Sequence, residues 1–116
     1  MSKLESTYQS TLFLEAPKVL SDLRLFRRQV MAGKIDGRYM KAGIRGQSDV
    51  YGFWRGSRAV ELELKSLTGS TTPEQRAWRE FCLAWGIPHL VLKPQKMETV
   101  EETVARWLRE IAATRA

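Results

Sequence analysis

Glu61-Leu62-Glu63-Leu64-Lys65 sets two carboxylates and an amine at alternate positions of a short β-prone run. Successive side chains of a strand point to opposite faces. Glu61, Glu63 and Lys65 therefore share one face, and Val60, Leu62 and Leu64 share the other. Asp49 stands fourteen positions before Glu63, at the head of Asp49-Val50-Tyr51-Gly52-Phe53, and Arg55-Gly56-Ser57-Arg58 reads as the turn between the two runs. A hairpin of that length can bring Asp49 beside Glu63. Two carboxylates facing one point repel each other unless a cation lies between them. A divalent ion there would remove the repulsion and polarise a phosphate. Lys65 would be close enough to orient water or to stabilise charge on that phosphate. The plainer alternative is a solvated strand face, on which mixed charges are ordinary.

Composition narrows the choice of metal. Cys82 and His89 are the only residues of their kinds. An internal disulfide and a zinc site built on Cys/His clusters are thereby excluded. Any metal must be held mainly by carboxylates, which favours a hard ion, Mg²⁺ or Mn²⁺. The length of 116 residues suits one domain, and 43% hydrophobic with 28% charged residues reads as globular. No apolar run approaches the ~18 residues of a membrane span. The opening Met1-Ser2-Lys3-Leu4-Glu5-Ser6 has no apolar stretch of the signal-peptide kind. A cytoplasmic protein is expected.

The net charge of +6 is concentrated. Residues 18–45 hold eight basic residues (Lys18, Arg24, Arg27, Arg28, Lys34, Arg38, Lys41 and Arg45) against Asp22 and Asp36, and the remainder of the chain is balanced. Such a block reads either as a surface for a polyanion or as a solvated basic face. Its interleaving with Leu25, Phe26, Val30, Met31, Ile35, Tyr39 and Met40 argues for folded structure over a disordered tail.

The elements that must hold these groups follow from periodicity. Leu4, Tyr8 and Leu12 predict a helix over 3–14, interrupted by Pro17. Residues 23–31 lean toward a strand. Gly33, Gly37, Gly43 and Gly46 make 34–46 hairpin or loop. Thr72-Pro73-Glu74-Gln75 starts a helix, with Thr72 as N-cap and Pro73 at the first helical position. Trp78, Phe81, Cys82 and Trp85 follow on one apolar face, and Gly86-Ile87-Pro88 ends the helix. His89 to Lys93 is a short strand. Thr99 to Glu102 is a second capping box, with Val100, Val104, Trp107, Leu108 and Ile111 as the buried stripe of a last helix. The order, α-βββ-α-β-α, predicts an α/β fold with a mixed sheet.

Taken together, Gly43-Ile44-Arg45-Gly46-Gln47-Ser48-Asp49, then Glu63-Leu64-Lys65, then Gly69 to Trp78 with its Pro73-Glu74-Gln75, then Gly86 before a strand, resemble the VRR-NUC family, the virus-type replication-repair branch of the PD-(D/E)XK nucleases. The likeness covers residues 43–92 and, more loosely, the first helix. It is specific as an ordered set, whereas Glu-x-Lys alone would be weak. The resemblance implies a restriction-endonuclease-like core and a metal held by Asp49, Glu63 and the backbone carbonyl of Leu64. It makes Lys65 the catalytic lysine and brings Gln75 into the site from the first turn of its helix. Gln75 is equally explained as the capping-box partner of Thr72. Glu5, four residues before Gln9, matches the family's Glu-x-x-x-Gln helix and would complete the metal site; otherwise it is an exposed glutamate. Arg27 falls where the family often has an arginine. Ser48 departs from the family's proline, and Glu61 is an added acid, either a partner behind the ligands or a rim residue. No accessory DNA-binding domain is evident.

The expected activity is that of a Mg²⁺- or Mn²⁺-dependent DNA endonuclease acting on junctions or flaps in phage or bacterial replication and repair. The alternative is a catalytically silent DNA-binding or complex-forming subunit. Phosphate contacts are expected from Arg24, Arg27, Arg28, Lys34, Arg38, Lys41 and Arg45. Trp54, at a turn beside Arg55, suggests the anchor of a homodimer; its alternatives are packing over the hairpin end or stacking on a base.

Overall fold

The computed structural model describes residues 3–28, 32–35, 38–41 and 46–115, with side chains over 6–28 and 46–115. Helix α1 (Lys3–Val19) leads into β1 (Leu23–Arg27). β2 (Ala32–Ile35) and β3 (Arg38–Lys41) form an antiparallel hairpin that is a sheet of its own. β4 (Val50–Trp54), β5 (Arg58–Leu64), α2 (Pro73–Ala84), β6 (His89–Leu92) and α3 (Val100–Ala112) follow. The main sheet runs β1-β4-β5-β6. β1, β4 and β5 are antiparallel neighbours, and β6 lies parallel to β5. Parallel neighbours need a crossover, which α2 supplies. The fold is thus α/β, a four-stranded mixed sheet with three helices, as the periodicities predict, and the β2–β3 hairpin is additional to the three-strand meander.

One face of the sheet carries the core. Leu23, Val50, Trp54, Val60, Leu62 and Leu92 meet Leu12, Ala16 and Leu20 of the α1 region and Val104, Trp107, Leu108 and Ile111 of α3. The stripe predicted for α3 is the stripe observed. The helix does not stop short of Pro17 as expected. Pro17 sits inside the last turn of α1, where its missing N–H removes one bond, while burial of Ala16 and Leu20 holds that turn in place. Both capping boxes are formed, Thr72 with Gln75 and Thr99 with Glu102. Just before α3, Glu98 accepts bonds from Arg106, Thr103 Oγ1 and the Gln95 amide, and Arg106 also donates to the Lys93 carbonyl. This clasp ties the end of β6 to α3.

Two burial expectations are corrected. Trp54 is not an exposed turn residue: it is 2% exposed, its Nε1 donates to Thr114 Oγ1 at 3.1 Å, and the Arg115 guanidinium covers its ring. The C-terminal turn after α3 closes over the hairpin end, so Trp54 is no interface anchor. The apolar face of α2 is not uniformly buried either. Cys82 is buried and Trp78 half-buried, but Phe81 and Trp85 are exposed, because α2 packs mainly toward β6 and reaches β5 through Trp78. Among the described residues, no helix is long and apolar enough to cross a membrane.

Candidate active site

β5 is covered on both faces, so its alternation sorts core residues from site residues and not core from solvent. Glu61 and Glu63 are both buried, Glu63 at 1% exposure. Neither stands on a solvated face. Val50 pairs with Leu62 and Tyr51 with Glu61. Asp49 directly precedes β4, and its charge acts on Glu63.

The charges of these residues act on one another. The Glu63 carboxyl is pushed above its ordinary range, chiefly by burial. Lys65 opposes that shift by its charge and hydrogen bond, Asp49 adds to it by repulsion, and Arg79 lowers it slightly. Lys65 Nζ lies 3.4 Å from Glu63 Oε2, an ion-pair contact. Neither Glu63 oxygen has a well-formed hydrogen bond. A buried carboxylate balanced only by one lysine at 3.4 Å could also hold a cation, because burial disfavours an anion that is incompletely compensated. The donor set of Asp49, Glu63 and the Leu64 carbonyl is all oxygen and fits Mg²⁺ or Mn²⁺. Among the described residues, no three His, Cys, Asp or Glu side chains cluster as a ready-made cage. The Glu5 side chain lies outside the described residues, as do those of Lys34, Arg38, Lys41 and Arg45.

Lys65 is held from the other side. Its Nζ donates to Gln75 Oε1 at 2.5 Å and to the Ser70 carbonyl at 3.0 Å. Gln75 Oε1 also accepts from the Thr72 amide at 2.9 Å. The two roles foreseen for Gln75 are therefore one arrangement: the capping box fixes the side chain, and the fixed oxygen orients the lysine. The start of α2 is itself pinned. Gly46 has φ +86, and a Cβ there would lie 2.3 Å from the Glu74 carbonyl carbon and oxygen. Only glycine lets the segment leading to Asp49 approach the first turn of α2 so closely.

No protein-family model matches the chain, and no curated protein matches it. The reading of the site therefore rests on its own geometry.

Glu61 does not belong with the metal ligands. Arg28 grips it through two nitrogens, at 2.7 and 3.1 Å, and Trp78 Nε1 donates to it at 3.0 Å. Arg28 also donates to the Ser48 carbonyl. Arg28 is thus held within the protein by Glu61, the Ser48 carbonyl and the Tyr51 ring. Arg24 and Arg27 are exposed as expected.

Three residues escaped the sequence reading. His89 on β6 stands beside Glu61 in register and lies 3.1 Å, through Nε2, from Ser48 Oγ. Burial, reinforced by Arg79, holds its pKa below the ordinary value, and its contact with Ser48 braces the residue before Asp49. Ser48, noted only as a departure from the family's proline, is buried and supplies that bond. Gln9 is 1% exposed, and both its amide atoms lack partners. It falls on the same helical stripe as Leu12 and Ala16, which was a signal available from spacing alone. Cys82 is no nucleophile, because burial pushes its thiol up to about 11.

Proposed function

We propose that this chain is a metal-dependent DNA endonuclease with a restriction-endonuclease-like core of the VRR-NUC type. The observation that carries the reading is Glu63. It is a buried carboxylate whose one close partner is an oriented lysine at 3.4 Å, and whose charge is repelled by that of Asp49. Asp49, Glu63 and the Leu64 carbonyl would hold Mg²⁺ or Mn²⁺. When bound, such an ion polarises the scissile phosphate and makes its water a better nucleophile. Lys65 is preorganised by Gln75 and Ser70 and faces Glu63 with its third N–H; once a metal took over the Glu63 charge, that N–H could turn to a phosphate oxygen or to the attacking water, where the lysine's charge favours the transition state. The β1–β4–β5–β6 order with α2 as crossover is consistent with this core. Two-fold pairing would supply the second site that a symmetric cut at a junction needs.

Pure protein incubated with flapped or branched DNA in Mg²⁺ or Mn²⁺ tests the reading. Nicking that stops in chelator and is lost in Asp49→Ala is the expected result. Asp49 is exposed, so that variant keeps its fold. Full activity in excess chelator overturns the metal assignment. The silent DNA-binding reading draws on the Lys65–Glu63 contact, which partly neutralises the site without metal. Tight binding with no cleavage under any divalent ion would favour it.

A further inference from the structure

The sheet face opposite the core extends beyond α2. Phe26, Tyr51 and Glu61 form one cross-strand row, and Arg24, Phe53 and Ala59 form the next. Among the described residues, α2 packs mainly toward β6, and the β1–β4 end of this face keeps exposed side chains. Phe26 is 45% and Phe53 49% exposed. Their rings and that of Tyr51 form a continuous platform. Phe26 stacks on Tyr51 at 5.5 Å, and Phe53 meets both edge-on, at 6.2 and 5.9 Å.

The surroundings identify what this platform would take. The guanidinium of Arg28, locked on Glu61, lies 4.7 Å over the Tyr51 ring, so the acid nearest the platform is already neutralised. Arg24 is exposed in the same row as Phe53. The charge excess of the whole chain lies in the segment that carries β1. Exposed rings beside Arg24, whose guanidinium donates to the Ser21 and Leu23 carbonyls and keeps its charge at the surface, suit a polyanion that carries flat π-systems of its own. Single-stranded nucleic acid is such a ligand, whereas a duplex hides its base faces. Rows along a strand are about 6.7 Å apart, so the platform begins one row from Glu63.

We propose that the open β1–β4 face binds single-stranded nucleic acid by stacking bases on Phe26 and Phe53, with Arg24 on the backbone, immediately beside the carboxylate site. The inference deepens the nuclease reading and rests on it for what happens to the strand. The binding itself requires no cleavage.

Fluorescence anisotropy with a labelled oligothymidylate and with a blunt duplex of the same length, in chelator so that nothing is cut, tests it. The wild-type protein should bind the single strand more tightly. Phe26→Leu and Phe53→Leu should each weaken single-strand binding about fivefold or more, as expected for a lost base–aromatic stack, and leave duplex binding nearly unchanged. Phe53→Tyr, which keeps the ring, should retain affinity. A wild-type preference for duplex overturns the proposal without any variant. So does an equal loss on both ligands, which would mark a general electrostatic surface. Sedimentation showing a wild-type dimer that Phe53→Leu dissociates would assign the face to a second copy instead. Single-strand binding that survives in a protein unable to cleave with any divalent ion removes the nuclease reading and upholds this one.

Discussion

Arg28 and Glu61, thirty-three residues apart, meet in a two-pronged ion pair of 2.7 and 3.1 Å on the inner side of α2. The pair joins the end of β1 to the middle of β5 and is roofed by Trp78. Removing one partner of a buried pair leaves the other charge uncompensated, at about 3–5 kcal/mol. Arg28→Ala should therefore lower unfolding stability in urea by about 3 kcal/mol, the low end, because the guanidinium is still 19% exposed. Adding Glu61→Leu should restore most of the loss. A change of the size typical of surface pairs would show that the contact is loose in solution.

Glu63 predicts a pH dependence of opposite sense to an ordinary ion pair. Its folded pKa lies above the ordinary 4.5. The folded state thus holds the proton more tightly than the unfolded state, and stability falls as pH rises from that ordinary value through the raised one. In chelator, Glu63→Gln should be more stable than wild type at neutral pH, with the two converging in acid. Mg²⁺ should raise the melting temperature of wild type and not that of the variant. Equal stabilisation of both proteins by Mg²⁺ would move the metal elsewhere.

Lys65→Ala should lower turnover on flapped or branched DNA about a hundredfold or more and leave DNA affinity within a few fold, because the amine acts on the transition state. Lys65→Arg should not rescue it, because a planar guanidinium does not reproduce the compact ammonium that donates to Gln75 Oε1 and the Ser70 carbonyl. Parallel loss of binding and cleavage would make Lys65 a phosphate anchor instead.

Glu98 behaves in the usual sense. Arg106, with Thr103 and the Gln95 amide, draws its pKa down to about 2. Its contribution is present above the ordinary 4.5 and is lost as pH falls through about 2. Glu98→Gln should be less stable than wild type at neutral pH, and the gap should close on acid titration between those two values. A constant gap would assign the effect to packing of the clasp and not to charge.

What was legible in the sequence was what is local. The period-two alternation of Val60 to Lys65 gave the faces of β5, and the Thr72–Gln75 and Thr99–Glu102 spacings gave two helix starts that form as read. The coupling of Asp49 to Glu63 was reachable because a short hairpin brings the two runs together. The contacts that escaped span long separations: Trp54 with Thr114, Ser48 with His89, Arg28 with Glu61. No spacing rule reaches them, since each depends on which elements tertiary packing makes neighbours. That packing also turned Glu61 from a site-face acid into a buried partner, and left Phe81 and Trp85 uncovered on a helix whose pattern reads as core.

Gly46 carries a dynamic consequence. With no Cβ, it lies flush against the Glu74–Gln75 backbone, so the segment that delivers Asp49 and the first turn of α2 cannot separate independently. Local opening of either should release Gln75 and Lys65 together with the carboxylates, as one cooperative unit in amide exchange. The site would then exist whole or not at all, without partly assembled intermediates in which a bound strand is held but the lysine is out of place.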